Sequence, residues 1–325
     1  MKKPNICIIG TNFISDRFAD AAIASGAVEL YGVYSRRLDT GKAFADKYGI
    51  STVYDSFDEM LADPLVDAVY VASPTFAHAR QSILAARAKK HILCEKMIAI
   101  DYAEFAEMKK AAEDGGVVLV EAMRPDFDGM LDVIKEALPE IGNIRRISFD
   151  YCQYSSRYDK FKAGTVLNAF DPKMKNSALA DIGIYPLHAC VFLFGEPKNT
   201  LSASVFLENG FEGAGSLTLD YGDKIALINY SKIADNFSAS VIEGELGSIV
   251  IDKFNPPSKI TVRMRSGEER VLDYTPAKNN MTFEIKAFAD MINGKRDNRP
   301  YLSVSESVMR MVDKIYEQSG ISKSF

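Results

Sequence analysis

Histidine and cysteine are scarce in this chain of 325 residues, and their spacing excludes several chemistries. The three histidines, His78, His91 and His188, include no close pair, which argues against a histidine-built metal site. The four cysteines, Cys7, Cys94, Cys152 and Cys190, lie far apart with no CxxC or Cys/His cluster, so neither a disulfide framework nor a zinc site is expected. Cys7 and Cys94 sit inside apolar, strand-like runs, and the cysteine usage as a whole suits reducing cytoplasm. No stretch approaches the ~20 apolar residues of a membrane span. The N-terminus, MKKPNICIIG, enters a strand-like run directly and shows no cleavage site, so no secretory signal is expected. The 39 basic and 44 acidic side chains give a net charge of −5 and are interspersed. Without a basic face or stripe, nucleic acid is not an expected partner. Internal repeats and low-complexity linkers are missing too.

What remains is a globular composition, 47% apolar and 26% charged, at a length that suits about two domains. The first ~120 residues alternate buried strands with amphipathic helices, the pattern of right-handed βαβ units and a parallel sheet. Strands are expected at 5–10, 28–35, 67–73, 91–94 and 117–120. Helices are expected after residue 12, at 39–48, 75–89 and 101–115, the last opened by an Asp101/Glu104 capping box.

From about residue 122 the pattern changes. A helix at 126–137 leads into an alternating strand at 143–154, followed by an aperiodic loop over 155–176 and a helix at 177–194. Leu201, Ala203, Val205 and Leu207 then share one face of a strand over Thr200–Glu208, whose outer side is expected to carry Phe206. Further period-2 segments lie at 225–230, 238–242, 249–251 and 260–264, with a Ser266-Gly267 hairpin turn after the last. Consecutive strands with short turns predict a large, open, mostly antiparallel sheet. Two helices close the chain; the first carries Met281, Ile285, Phe288 and Ile292, and the second opens at a Ser303/Glu306 capping box. The fold class is α/β, with an N-terminal Rossmann domain at 1–122 and a C-terminal α+β domain at 123–325.

Gly10-Thr11-Asn12-Phe13-Ile14-Ser15 follows the first strand and opens the first helix, the position of the dinucleotide fingerprint. A pyrophosphate would rest on the N–H groups of that helix N-terminus. Asn12 and Ser15 replace the second and third glycines. Ser15 is small enough for helix and strand to approach, and Asn12 tolerates positive φ but brings a side chain toward the phosphates. Taken alone, these six residues fit a phosphate site or an ordinary strand–helix turn. The second strand ends in Tyr34-Ser35-Arg36-Arg37, with none of the acid that binds ribose hydroxyls in NAD sites. Two guanidiniums and a hydroxyl suit a 2′-phosphate, so NADP(H) is favoured and NAD(H) remains possible. A solvated basic turn is the alternative.

Four segments in register now bear a specific likeness. They are the Gly10 loop with Tyr34-Ser35-Arg36 and residues 43–49; Ser73-Pro74-Thr75-Phe76-Ala77-His78; Cys94-Glu95-Lys96-Met97; and residues 178–185 with Asp181 and Tyr185. Together they resemble the glucose–fructose oxidoreductase/inositol dehydrogenase/rhizopine catabolism family (Gfo/Idh/MocA). The likeness extends over the whole chain. Tyr185, where other members carry His, is similar to the glucose–fructose oxidoreductase and dihydrodiol dehydrogenase branches.

The resemblance implies a cofactor site at Gly10, Asn12, Phe13, Ile14, Ser35, Arg36, Arg37, Ser73, Thr75, His78 and Glu95. It implies a catalytic set in which Tyr185 exchanges a proton with the substrate, Lys96 is the supporting cation and Asp181 orients. Lys96 follows a strand, where open α/β sheets bind ligands, and Asp181, Tyr185 and His188 fall on one face of a helix. Arg124 and His188 are candidate substrate contacts, although His188 also suits plain packing and Arg124 a hinge brace. Tyr154, Arg157 and Tyr158 are candidate pocket-lining residues. No metal is implied.

Three departures stand out. Met97 replaces the proline after the lysine, where the family commonly has a cis peptide, so Lys96 is expected to be re-aimed or held under strain. Lys175-Asn176-Ser177 replaces a glycine run, and Asn12 is the third. The expected function is hydride transfer between nicotinamide and a CH–OH/C=O group of a sugar, cyclic polyol or diol. The expected assembly is a homodimer, or a dimer of dimers, through the C-terminal sheet. The competing readings are a cofactor-binding regulator with a decayed site and a structural protein with an empty Rossmann domain.

Overall fold

The computed structural model describes residues 3–322. Contacts divide the chain into two units: one runs up to Asp128 and includes Ala277–Glu306, the other comprises Gly129–Pro276 and the chain from Ser307. The expected boundary at 122 lies six residues before the end of the first segment. The helix over Met281–Ile292 packs with the first unit, a long-range return that no local sequence signal announces.

The first unit contains β1 (Asn5–Ile9), α1 (Phe13–Ser25), β2 (Glu29–Tyr34), α2 (Leu38–Tyr48), β3 (Thr52–Tyr54), α3 (Phe57–Ala62), β4 (Ala68–Val71), α4 (His78–Arg87), β5 (His91–Cys94), α5 (Tyr102–Gly115) and β6 (Leu119–Glu121). The six strands are all parallel, in the order β3-β2-β1-β4-β5-β6. Parallel strands covered on both faces read as continuous apolar runs, and β4 (AVYV) is buried at every position. The order reverses between β1 and β4, and ligands of open α/β sheets bind at such a switch point, beyond the strands' C-terminal ends.

Strand β3 and helix α3 are additions to the expected elements; three and six residues are too few to show a period. The N-cap half of the α5 capping box is present, with Glu104 N donating to Asp101 Oδ1 at 2.9 Å, while Glu104 Oε2 accepts from Ile100 N at 3.1 Å, one residue before the cap. The helix expected from 126 is corrected to a 3-10 turn at Arg124–Asp126 and α6 at Met130–Ala137, separated by the left-handed Gly129.

In the second unit, α6 is followed by β7 (Ile144–Cys152), α7 (Tyr158–Lys162), a π-helical turn at Leu179–Gly183, α8 (Ile184–Phe194), β8 (Asn199–Phe206), β9 (Glu212–Asp220), β10 (Ile225–Ser231), β11 (Ser240–Gly244), β12 (Gly247–Ile251), β13 (Ile260–Met264) and β14 (Glu269–Val271). They form an eight-stranded sheet in the order β14-β13-β12-β11-β7-β10-β9-β8. Every pairing is antiparallel except β7 with β10. β9, an edge-adjacent strand rich in Gly, Ser and Thr, is a further addition to the expected set.

One sheet face buries Ile147, Phe149, Leu217, Leu219, Ile228, Ile242 and Ile249, and α8 packs on it. The opposite face exposes Leu201, Val205 and Ile225. The expected facing of β8 is therefore corrected: Leu201 and Val205 lie on the exposed side, and Phe206 has the opposite parity at the end of the strand, paired with Glu212.

The loop expected at 155–176 holds α7 and two 3-10 turns around a small aromatic cluster, Phe161, Phe170 and Phe211. The chain closes with α9 (Met281–Ile292) and α10 (Arg299–Ser319). α10 starts four residues before Ser303, which corrects the expected capping box. Pro300 suits a first helical turn, and Asp297 Oδ1 accepts from Arg299 N at 3.0 Å.

Candidate functional site

At the switch point of the first unit, Gly10 has φ +106°, a conformation that L side chains rarely adopt. A Cβ there would lie 3.0 Å from the Ala72 carbonyl oxygen, so the turn between β1 and α1 presses against the end of β4. Asn12 is extended (φ −90°, ψ −179°) and caps α1, so the positive φ that it tolerates is not used. Its Oδ1 accepts from Ile14 N at 2.9 Å and Ser15 N at 3.3 Å, and its Nδ2 donates to Ala72 O at 2.7 Å. The amide thus takes two of the helix's N-terminal N–H groups and ties the loop to β4. Phe13 is exposed, and Ser15 is fully buried where helix meets strand.

At the end of β2, Ser35 is buried and its hydroxyl pairs with Thr40 Oγ1 at 2.7 Å. Arg37 forms an exposed ion pair with Asp39 at 2.5 Å. Arg36 is exposed, with no ion pair among the described residues. The two arginines, equivalent in sequence, are therefore unequal in the fold.

The turn after β5 is pinned from several directions. Tyr70 Oη donates to Glu95 Oε1 at 2.5 Å, and burial pushes the Glu95 carboxyl above its ordinary range. Ile98 N donates to Glu121 Oε1 at 3.1 Å, and Ser305 Oγ donates to Glu121 Oε2 at 2.7 Å. The Lys96–Met97 peptide is cis without a proline.

His78 is buried, with Nε2 2.8 Å from Ser73 O and Nδ1 3.0 Å from Met97 O. Burial lowers its pKa against the pull of those two carbonyls. A neutral ring carries one N–H, so it donates to one of the two carbonyls, and His78 packs between the Ser73 loop and the Lys96 turn. Ser73 Oγ donates to Gln81 Oε1 at 2.6 Å, and Thr75 is partly exposed in the 3-10 turn between them. Arg124 is half-buried near Tyr70 and Glu95, where its charge favours the Glu95 carboxylate.

In the second unit, the helix expected at 177–194 is corrected to a π-turn that carries Asp181 and continues as α8 with Tyr185 and His188. Pro186 has no N–H for the Ile182 carbonyl, which disfavours a regular α-turn there. A Cβ on Gly183 would lie 2.7 Å from the Tyr230 ring, so the turn fits only glycine at that point. Ser177 Oγ accepts from Ala180 N at 3.0 Å and Glu212 Oε2 from Leu179 N at 2.9 Å. Burial pushes the Glu212 carboxyl up to about 7.

Asp181 is 37% exposed, and its Oδ2 lies 2.8 Å from the Nζ of Lys232, a lysine whose side chain is 3% exposed. Tyr185 is buried edge-on to Tyr151, with ring centroids 5.7 Å apart, and His188 is buried one turn further on. Tyr158 stacks on Phe170 at 5.5 Å, Tyr154 meets Tyr158 edge-on at 5.4 Å, and exposed Arg157 precedes α7. These loop residues pack mainly on one another.

Lys232, Glu212 and Tyr70 were not singled out from the sequence. A lone lysine at the end of a strand reads as solvated, and an acid and a tyrosine inside strands carry no spacing signal. Among the described residues, no group of three or more His, Cys, Asp or Glu could hold a metal, and no helix is long and apolar enough to cross a membrane.

A parallel sheet in this strand order, with a glycine turn and a helix N-terminus at its switch point, defines the class of dinucleotide-binding folds. Residues 4–123 match the oxidoreductase family with an NAD-binding Rossmann fold, and residues 135–250 match the GFO/IDH/MocA C-terminal domain. The chain belongs to the GFO/IDH/MocA oxidoreductase family.

It is 38% identical over 316 residues to the scyllo-inositol 2-dehydrogenase (NADP(+)) IolU of Bacillus subtilis, covering 97% of this chain and 96% of that one. It is 27% identical over 329 residues to the trans-1,2-dihydrobenzene-1,2-diol dehydrogenase of Xenopus laevis, covering 97% of each. Among solved structures, a 3-ketoreductase from Actinomadura kijaniata in complex with NADP and TDP-benzene has the same fold. Its TM-score is 0.87 at 22% identity, over 98% of both chains.

Proposed function

We propose that this protein is an NADP(H)-dependent dehydrogenase or reductase acting on a CH–OH/C=O group of a sugar, cyclic polyol or diol. The observation that carries it is the pinned turn that presents Lys96 beyond the C-terminal end of β5, held through Glu95, Met97 and Ile98. Likeness to an NADP(+)-dependent inositol dehydrogenase supports the substrate class.

The Gly10 turn fits a dinucleotide, because it lets backbone approach where a side chain would collide with Ala72. Gly10, Phe13 and the α1 N-terminus would face the phosphates, with Asn12 setting the turn, and Ile14 would contribute through packing while its N–H stays with Asn12. Arg36 would hold a 2′-phosphate while Arg37 shapes the turn with Ser35. The Ser73–Thr75 loop, packed against His78, and Glu95 would border the nicotinamide end. The nicotinamide, when bound, supplies the hydride donor or acceptor. By the family likeness, Tyr185 would exchange a proton with the substrate, Lys96 would be the supporting cation and Asp181 would have an orienting role. Arg124 and His188 would contact other substrate hydroxyls.

The test is turnover of scyllo-inositol, myo-inositol, D-xylose and D-glucose with NADP(+) and NAD(+). Arg36→Ala is expected to raise KM for NADP(+) by about 10–100-fold, the worth of a charge-assisted phosphate contact, with KM for NAD(+) unchanged within about threefold. Arg37→Ala, whose partner is Asp39, is expected to shift it by less than about fivefold. Cofactor binding without turnover of any carbonyl or hydroxyl substrate would support the regulator instead. Equal use of both cofactors by the native chain would remove the phosphate assignment.

The four cysteines are free thiols, which suits activity in the cytoplasm. The exposed Leu201, Val205 and Ile225 support pairing of two copies through this sheet face. Sedimentation is expected to show a dimer that Leu201→Glu/Val205→Glu converts to monomer; a native monomer would end that assignment.

A further inference from the structure

Lys232 is a buried cation at the end of β10 with two fixed acceptors. Its Nζ lies 2.8 Å from Asp181 Oδ2 and donates to Ala169 O at 2.8 Å. The rings of Phe170 and Phe211 flank it, with centroids 5.0 and 5.2 Å away. Its backbone is fastened as well: Lys232 N donates to Gly213 O at 2.9 Å, and Ser155 N donates to Lys232 O at 2.9 Å. One residue therefore holds the start of the 155–176 loop through its carbonyl and the middle of it through its ammonium. The same ammonium holds the carboxylate on the π-turn.

A desolvated lysine is costly unless paired and hydrogen-bonded, and the aromatic walls favour a cation at this spot. The carboxylate, the Ala169 carbonyl and the two rings converge on the ammonium. An ordinary strand-end lysine would reach solvent instead.

We propose that Lys232 is a positioning residue for the reaction, a latch that sets the Asp181 carboxylate and couples it to the conformation of the 155–176 loop. This rests on the functional reading above, in which Asp181 belongs to the reaction site and the loop shapes substrate selection. Loosening the loop releases Nζ from Ala169, which lets the ammonium shift and with it the Asp181 carboxylate that it holds. A substrate that orders the loop would in turn order the carboxylate.

The test is a double-mutant cycle in the full-length enzyme, with kcat and KM measured for the best substrate of the panel. Lys232→Met is expected to lower kcat/KM about 10-fold or more in the native background and by less than about twofold in the Asp181→Asn background, as for directly contacting residues. A purely structural lysine would lower it equally in both. Equal losses, or an active Lys232→Met enzyme with native kinetics, overturn the proposal.

If Lys232→Met does not fold, judged by near-UV circular dichroism, the same cycle is run with Lys232→Arg. That variant keeps the charge but changes its geometry, and the same dependence on Asp181 decides the matter.

Limited trypsin digestion gives an arm independent of turnover. Cleavage within 155–176 is expected to accelerate about 10-fold in a folded Lys232 variant, since local opening of the loop becomes easier. An inactive native protein whose loop cleavage still responds would count against the oxidoreductase reading while retaining the latch. An active native protein without coupling would remove the latch and leave the reading in place. Unchanged cleavage in the folded variant would overturn the loop half of the proposal.

Discussion

Lys96→Met is expected to lower kcat by about 10²–10⁴-fold, the usual loss when a group that assists proton transfer is removed. Binding of NADPH, followed by nicotinamide fluorescence, should change by less than about threefold, because no cofactor contact is assigned to the ammonium. The separation is expected because the turn is held by groups other than the Lys96 side chain. Glu95 is bonded to Tyr70 and Ile98 N to Glu121, and the Met97 carbonyl lies against His78. Methionine matches the length of the lysine stem and removes the charge, so the change tests the ammonium itself. A kcat within about threefold of the native value would show that Lys96 takes no part in proton transfer.

Gly10→Ala is expected to have the largest effect on cofactor binding. The residue sits at φ +106°, and the added methyl would meet the Ala72 carbonyl oxygen at 3.0 Å and its carbon at 3.4 Å. Ala72 O also accepts the Asn12 amide at 2.7 Å, so any shift that relieves the contact disturbs the α1 cap. The strain should reduce stability by about 1–3 kcal/mol in urea denaturation. Displacement of the helix N-terminus should weaken NADPH binding by about 100-fold, the upper worth of a hydrogen bond to a charged phosphate. Native affinity in a stably folded Gly10→Ala protein would place the dinucleotide elsewhere.

Much of the first unit was legible because its determinants are local. Apolar strands alternate with amphipathic helices, and Gly10 stands at the turn after β1, where φ +106° calls for a glycine. The Asp101 cap and the Ser266-Gly267 hairpin act within a few residues of themselves, and both are present as expected. Short elements escaped: β3, α3 and β9 lack the length or the apolar content for a period to emerge. The start of α10 was misplaced because Ser303 and Glu306 mimic a cap inside a helix that Pro300 had already opened.

The sequence by itself determined the class of fold, the glycine turn after the first strand and the four segments that mark the family. Each of these depends on residues close together in the chain. Only the tertiary structure decided that Asn12 is an extended helix cap, that Arg37 belongs to Asp39 while Arg36 has no ion pair among the described residues, and that Asp181 stands on a π-turn paired with Lys232. It also decided that Glu95 is bonded to Tyr70 and that His78 lies between two backbone carbonyls. The physical reason is burial. A desolvated polar group must find its partner wherever the packed chain brings one within hydrogen-bond distance. Lys232 lies 51 positions from Asp181 in the chain, and nothing in the spacing of residue types encodes that meeting.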